Sequence, residues 1–333
     1  MHYTYFDPRT WDDNSMGVAL GIDVGGTKIA AGVVDDGGQI IARVRRPSRA
    51  ADASSIVASI LEVAQELTEE HRPSAIGVGA AGFIDATRRT VVFAPNIAWR
   101  DEPLADKLEE ATGLPTVVEN DANAAAWGEF QFGVATDASS IVFITLGTGI
   151  GGGIIMNGKL LTGGQGYAGE IGHLNVVPGG KRCGCGLLGC WEQYGSGTAL
   201  VRLAKESAEL NPAMARTLLG LVDGDATQIT GYTVTQAAQL QCQAALGAID
   251  SMAGYTAQAL SDLSLILDPE MFVLAGGVSE AGDVVRNPIT KAFRSYTAAS
   301  GRESTIPIVT ATLGNDAGII GAADLSRVKA SGS

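Results

Sequence analysis

The sequence predicts an α/β fold in which one unit of strands and a helix occurs twice, giving two domains with a cleft between the copies. The chain has 333 residues, enough for about two domains of ordinary size. Apolar residues make up 46% and charged residues 18%, a globular composition with a large core. One template, an apolar strand followed by a glycine and threonine turn and a second apolar strand, occurs at residues 22–34 and again at 144–156.

The first copy begins with an antiparallel meander. Apolar runs at 18–23, 29–34 and 39–44 predict three strands, because short glycine-containing turns separate them. Apolar residues then recur at helical spacing over 52–71, which predicts a helix. Residues 74–79 form the next predicted strand.

The second copy repeats this order. Strands are predicted at 140–146 and 150–156, and the hairpin signal at Asn157 and Gly158 leads into a third strand at 160. The remaining predictions are a long helical stretch near 235–265, a strand at 271–275, a helix near 281–299, a strand at 306–310 and a helix of small residues near 315–326.

These elements suggest the domain boundaries. Residues 1–16 are predicted to be an N-terminal tail, and residues 17–135 a small α/β domain to which a C-terminal helix at about 312–326 returns. Residues 136–311 are predicted to form a large α/β domain that carries a cysteine-rich loop.

Charge and hydropathy exclude two classes of partner. The net charge of −13 repels nucleic acid and anionic membrane, so any phosphate site must be local. No apolar run approaches the ~20 residues of a membrane span. The first residues lack the basic and apolar regions of a signal peptide. We therefore expect a cytoplasmic protein with reduced thiols.

The cysteines form the most specific pattern in the chain. Three of the four cysteines, Cys183, Cys185 and Cys190, fall within eight residues of a glycine-rich loop. With His173 they form a Cys₃His set, which is typical of a closed structural zinc site. The same stretch carries Glu170 and Glu192, which such a site does not need as ligands. We therefore expect a zinc knuckle that positions polar groups.

The turn after the first strand has the composition of a phosphate cradle. Gly25 and Gly26 allow backbone N–H groups to approach a ligand, and Thr27 and Lys28 add a hydroxyl and a positive charge. Asp23, which precedes them, can hold a hydrated Mg²⁺. An ordinary hairpin with a solvated lysine is the alternative.

Two segments match the dinucleotide pattern G-x-G-x-x-G, at 77–82 and 147–152. A dinucleotide site needs a helix directly after these glycines, because the helix N-terminus binds the pyrophosphate. Both segments lead instead into residues that do not begin a helix. The sequence therefore argues against an NAD(P)-dependent oxidoreductase.

A polar cluster follows the strand predicted at 115–119. Asn120, Asp121 and Asn123 lie at its carboxyl end, where open α/β sheets bind ligands. Asp121 can take a proton from a hydroxyl that attacks a phosphoryl donor. Helix capping is the alternative, since Asp and Asn are favoured N-cap residues. Carboxylates and amides such as Glu170, Glu192 and Asn96 suit vicinal sugar hydroxyls.

Together these residues resemble the ROK family of sugar kinases, repressors and uncharacterised open reading frames, over about residues 17–325. Within that family the likeness is greatest to actinobacterial members that phosphorylate glucose. The resemblance is carried by 23–28 and 146–149, similar to the two phosphate turns; 119–123, similar to the catalytic segment; 170–173 with 183–192, similar to the zinc and sugar signature; and 274–278, similar to the adenosine-side turn.

The resemblance implies a ribonuclease-H-like fold of the actin and hexokinase type. It implies transfer of the γ-phosphate of ATP to the 6-hydroxyl of glucose with Asp121 as general base, and Mg²⁺ and a structural Zn²⁺ as metals. The implied sugar ligands are Asn96, Asn120, Asp121, Glu170, His173 and Glu192. The implied nucleotide site comprises Asp23, Gly25, Gly26, Thr27, Lys28, Gly147, Thr148, Gly149, Gly276 and Gly277. The implied zinc ligands are His173, Cys183, Cys185 and Cys190.

Alternatives remain within and beyond this activity. Mannose, fructose, an N-acetylhexosamine or a polyphosphate donor fits the same motifs, because fold and motif do not fix one epimer. A sugar-responsive repressor is disfavoured, since the kinase-like core begins by residue 17 and the acidic charge opposes DNA binding. The family usually forms dimers or tetramers, so the resemblance also implies a homo-oligomer.

Overall fold

The computed structural model describes residues 17–48, 52–94 and 97–327. The predicted tail at 1–16 and the predicted sugar ligand Asn96 lie outside the described residues. The chain forms two compact units. Unit 1 takes the described parts of residues 1–143, 152–169 and 311–333, and unit 2 takes residues 144–151 and 170–310.

The secondary structure alternates strands and helices along most of the chain. The strands are β1 (Ala19–Val24), β2 (Lys28–Val34), β3 (Ile40–Pro47), β4 (Ile76–Ala80), β5 (Phe83–Ile84), β6 (Val91–Phe93), β7 (Arg100–Glu102), β8 (Thr116–Asn120), β9 (Ile141–Leu146), β10 (Ile150–Met156), β11 (Lys159–Leu160), β12 (Met271–Ala275) and β13 (Ile308–Thr310). The α-helices are α1 (Ala53–His71), α2 (Leu104–Thr112), α3 (Asp121–Phe132), α4 (Glu192–Gly195), α5 (Gly197–Leu210), α6 (Arg216–Gly220), α7 (Gly231–Gln239), α8 (Gln243–Leu267), α9 (Asp283–Ala299) and α10 (Ala317–Arg327).

Two five-stranded sheets have the same strand order. The first is β3-β2-β1-β4-β8 and the second is β11-β10-β9-β12-β13. In each sheet three strands form the antiparallel meander. Two strands from later in the chain then lie beside the first strand of that meander, on its free edge. In the first sheet β1 pairs antiparallel with β2 and parallel with β4, which pairs parallel with β8. The predicted duplication is therefore confirmed.

A small antiparallel sheet, β5-β6-β7, was not predicted. Its strands are two or three residues long, too short for an alternating pattern to be recognised in the sequence.

Helix α1 has the apolar face that its sequence predicts. Ile56, Ile60, Val63 and Leu67 are buried on that face. The helix begins where the Asp52 side chain accepts a hydrogen bond from the Ser55 backbone N–H, at 3.1 Å.

Helix α10 packs on the first sheet and on α3 with almost no side chain between the backbones. A Cβ added at Gly77 in β4 would lie 1.8 Å from the carbonyl oxygen of Ala322. One added at Gly321 would lie 1.8 Å from the carbonyl oxygen of Ala124. Only glycine fits at such distances. This packing brings Gly318 against Asp23, whose Cγ lies 3.4 Å from an ideal Cβ at that glycine.

The long helical stretch predicted near 235–265 is helical but interrupted. The structure has α7 and α8 there, separated at Gln241, whose φ of 60° lies in the left-handed region. The Cys242 N–H donates to the Ala237 carbonyl oxygen at 3.0 Å, and the Gln241 N–H donates to that of Ala238 at 2.9 Å. This pair of bonds is a Schellman motif, which ends a helix usually with glycine but here without it.

Among the described helices, none combines the length and the apolar character that a membrane crossing requires.

The packing of α10 predicts that Gly77→Ala destabilises unit 1 by about 1–3 kcal/mol or more, because the added methyl group meets backbone rather than a movable side chain. The midpoint of thermal unfolding measures the effect. Gly247→Ala is the matched control, since nothing lies within 4 Å of a Cβ added at this site on α8. An unchanged midpoint for Gly77→Ala would contradict the packing described.

Candidate active site

The first candidate feature is the turn between β1 and β2. The Gly25 N–H donates to the Lys28 carbonyl oxygen at 3.0 Å, which closes the turn. Thr27 and Lys28 are exposed, and Asp23 at the end of β1 is partly buried. Burial is the main cause that raises the pKa of Asp23 to about 6. The negative charge of Asp121 also raises this pKa, and the positive charge of Lys28 lowers it.

Asp121 lies at the same edge of the first sheet. The register places Asp23 beside Gly79 and Gly79 beside Glu119, so β1, β4 and β8 end together. Asp121 is the first residue of α3, and its carboxylate accepts a hydrogen bond from the Ala122 N–H at 2.9 Å. Burial raises the pKa of this carboxyl. Two carboxyls with raised pKa values at one strand edge favour an acid–base site.

Asn120, rather than Asp121, is the N-cap of α3. Its Oδ1 accepts from the N–H groups of Ala122 and Asn123 at 2.9 and 3.1 Å. Its Nδ2 donates to the Gly82 carbonyl oxygen at 3.1 Å. An amide nitrogen carries two protons, so one donor of Asn120 stays available for a ligand.

The candidate metal ligands come together in unit 2. His173 ends a 3₁₀ turn at Ile171–His173, and one ligand atom from each of His173, Cys183, Cys185 and Cys190 lies within 4.8 Å of the others. His173 Nδ1 lies 3.6 Å from Cys183 Sγ, and Cys185 Sγ lies 3.6 Å from Cys190 Sγ. Tetrahedral zinc, with bonds of about 2.0–2.3 Å, places its ligand atoms about 3.5–3.8 Å apart. The geometry therefore fits zinc.

Two carboxylates flank this cluster. Glu170 Oε2 lies 3.9 Å from His173 Nε2, the ring nitrogen that faces away from the cysteines. Glu192 Oε1 lies 2.8 Å from Cys183 Sγ, and its other oxygen lies 2.8 Å from where a Cβ at Gly149 would be. Burial, followed by the hydrogen bond to Glu192, raises the pKa of the Cys183 thiol. A bound divalent cation would favour the thiolate instead.

The second predicted phosphate turn borders a large cavity in unit 2. The Gly147 carbonyl oxygen accepts from the Gly197 N–H at 2.7 Å, and the Thr198 hydroxyl donates to the Thr148 carbonyl oxygen at 2.7 Å. These bonds join the turn to the start of α5. The cavity has a volume of about 870 Å³, and its lining includes Thr148, Thr198, Tyr232, Gln236, Gly277 and Glu280.

The turn at Gly276 and Gly277 closes one side of this cavity. Gly276 has a φ of 85°, and a Cβ there would lie 2.7 Å from the Leu146 carbonyl oxygen, so both conformation and space require glycine. Gly277 lines the cavity directly. Sequence analysis missed the lining residues from α5 and α7. They are common residue types in ordinary helices, and no motif distinguishes them.

The fold and these features define a class. Two sheets of identical strand order, each with a glycine and threonine turn after its first strand, define an α/β protein of the actin and hexokinase type.

A model of the ROK family matches residues 19–329, and the chain belongs to that family. The glucokinase of Streptomyces coelicolor is 46% identical over 312 residues, which are 94% of this chain and 98% of that protein. A crystal structure of a ROK family glucokinase from Streptomyces griseus in complex with glucose and AMPPNP has 47% identity and a TM-score of 0.84, covering 93% of this chain and 99% of that one. For a ROK hexokinase from Thermus thermophilus the identity is 35% and the TM-score 0.77, with 93% and 97% covered.

The metal geometry predicts about one zinc ion per chain, lost in Cys185→Ser because a serine hydroxyl is a poor zinc ligand. Metal content after desalting, measured by mass spectrometry, checks this. Cys242→Ser is the matched control: Cys242 is buried elsewhere in unit 2, where its thiol donates to the Met214 carbonyl oxygen at 3.4 Å. Equal zinc in both variants would contradict the assignment.

Proposed function

We propose that the chain is an ATP-dependent glucokinase that phosphorylates the 6-hydroxyl of glucose. The observation that carries the proposal is the similarity over nearly the whole chain to a glucokinase solved with glucose and AMPPNP. The partly buried carboxylate of Asp121 at the carboxyl end of β8 supplies the chemistry that the reaction needs.

The cavity in unit 2 supports a nucleotide donor over polyphosphate. Of the residues that line it, Glu280 alone is charged, and the rest are neutral. Polyphosphate requires a succession of cationic side chains, whereas an adenosine group requires apolar surface and a few hydrogen-bonding groups. Tyr232 and Gln236 from α7 offer both kinds of contact.

In the proposed reaction Asp121 accepts the proton of the attacking hydroxyl. Backbone N–H groups of 25–28 and 147–149, with the Lys28 ammonium, would hold the phosphates. Mg²⁺, held near Asp23 when bound with ATP, would neutralise charge on the phosphates. We assign the sugar hydroxyls to Asn96, Asn120, Asp121, Glu170, His173 and Glu192.

The proposed role of zinc is to orient His173. His173 would hold zinc through Nδ1, which lies beside Cys183, and the neutral ring would then carry its proton on Nε2, on the side of Glu170. Ligation would thereby fix the ring plane and tautomer of His173 for a hydrogen bond to the sugar. We further propose, by analogy with the family, a cytoplasmic homo-oligomer of two or four chains, which light scattering can measure.

A coupled assay tests the function with glucose, mannose, fructose and N-acetylhexosamines as acceptors and ATP or polyphosphate as donors. We expect the highest kcat/KM for glucose with ATP. Asp121→Asn should still bind glucose but turn over about 10²–10⁴-fold more slowly. Asp137→Asn, an exposed carboxylate in the same unit, is the control. A better acceptor than glucose, or near-normal turnover in Asp121→Asn, would overturn the proposal.

The raised pKa values predict the direction of the pH dependence. A general base works only when ionised, and burial raises the pKa of Asp121 above the usual 3.8, so kcat/KM should begin to fall, as the pH decreases, at a pH above 3.8. Asp23, with a pKa of about 6, also loses its charge as the pH falls, so both carboxyls contribute to the measured decline in kcat/KM. Circular dichroism at each pH controls for unfolding. A rate that is constant down to the ordinary carboxyl range would contradict the prediction.

A further inference from the structure

A buried ion pair lies at the carboxyl end of β8. Arg88 Nε lies 3.0 Å from Glu119 Oε2, and the two side chains are 16% and 4% exposed. Glu119 precedes Asp121 by two residues. Taking two charges out of water is costly, and such a pair often stabilises a fold no better than apolar residues of the same volume. Stability alone therefore does not explain this pair.

A tightly bonded turn presents Arg88 to β8. The Asp85 carboxylate accepts from the backbone N–H groups of Arg89 and Thr90 at 2.9 and 2.7 Å, and from the Thr87 hydroxyl. Arg88 has a φ of 58°, in the left-handed region. Its carbonyl oxygen accepts from the Val118 N–H of β8 at 2.9 Å. The turn is thus fixed to β8 by main chain and side chain together.

The second oxygen of Glu119 reaches the segment that carries Asp121. Oε1 accepts from the Asn120 backbone N–H at 3.0 Å and from Asn123 Nδ2 at 2.9 Å. Asn120 is the N-cap of α3, and Asn123, 1% exposed, lies in its first turn. One carboxylate oxygen therefore binds the backbone N–H just before Asp121 and a side-chain amide two residues after it.

We infer that Glu119 and Arg88 are positioning residues for the general base, an inference that rests on the proposed function. Glu119 Oε1 fixes the path from β8 into α3 and so the direction in which the Asp121 carboxylate points. Arg88 binds the other oxygen, which holds the buried carboxylate in this orientation. A shift of about 1 Å in a reacting group can lower turnover about 100-fold.

Two double variants separate positioning from charge and stability. Arg88→Met with Glu119→Gln removes both charges but keeps a side-chain oxygen that can accept from Asn120 and Asn123. Arg88→Met with Glu119→Leu also removes both charges and leaves no acceptor. Neither leaves a buried charge unpaired, so both are designed to fold. Arg89→Met is the matched control, because Arg89 pairs with Asp106 and Glu109 at the protein surface, away from the segment that carries Asp121.

Turnover and both KM values are measured well below the melting temperature of each variant. We expect kcat within about threefold of wild type for the Gln variant and at least about tenfold lower for the Leu variant, with the KM for ATP unchanged in both. Equal kcat values in the two double variants, whether both near wild type or both reduced, would overturn the inference. Inactive wild type and Arg89→Met would instead count against the proposed function.

Discussion

The parallel pairing of β1, β4 and β8 is the constraint on which the first unit depends. Three strands therefore end at one edge of the sheet, where Asp23 and Asp121 share a partly buried environment. Burial disfavours the ionised form of both carboxyls and raises their pKa values. Between them Gly79 keeps the space small: an ideal Cβ there would lie 3.6 Å from the Asp121 Cα. The close packing of α10 then covers Asp23 from the other side.

In the second unit the candidate metal ligands lie on a segment with little regular secondary structure. Between Glu170 and Cys190 it forms only a short 3₁₀ turn and isolated bridges, Asn175 with Cys190 and Arg182 with Leu188. Such a loop has little regular structure to hold its side chains in place, and zinc bound at the proposed Cys₃His site would fix them. Because Glu192 contacts Cys183 and lies against Gly149, the Cys₃His cluster and the turn at 147–149 are physically connected.

The sequence predicted a feature correctly where a residue type has one dominant physical role, such as glycine in a tight turn. Glycine turns marked the strands, and three clustered cysteines marked the candidate zinc ligands. It did not predict features that depend on the backbone conformation or on contacts between residues far apart in the sequence. For the start of α3 it offered both Asn and Asp as N-cap residues, and only the structure shows that Asn120 is the cap. The left-handed Gln241 carries no glycine to signal a helix end. The pairing of Arg88 with Glu119 joins residues far apart in the sequence, and no local pattern predicts it.

The strongly acidic charge of the chain bears on how it would bind an anionic donor. The cavity in unit 2 offers no cationic side chain among its lining residues and adds the carboxylate of Glu280. On the proposed function, attraction for phosphate in this cavity then comes from the oriented backbone N–H groups at 147–149. These are partial charges set against a net charge of −13. On the proposed function, such a site attracts the magnesium complex of a nucleotide far better than the free anion, because the metal ion brings much of the positive charge that the protein lacks.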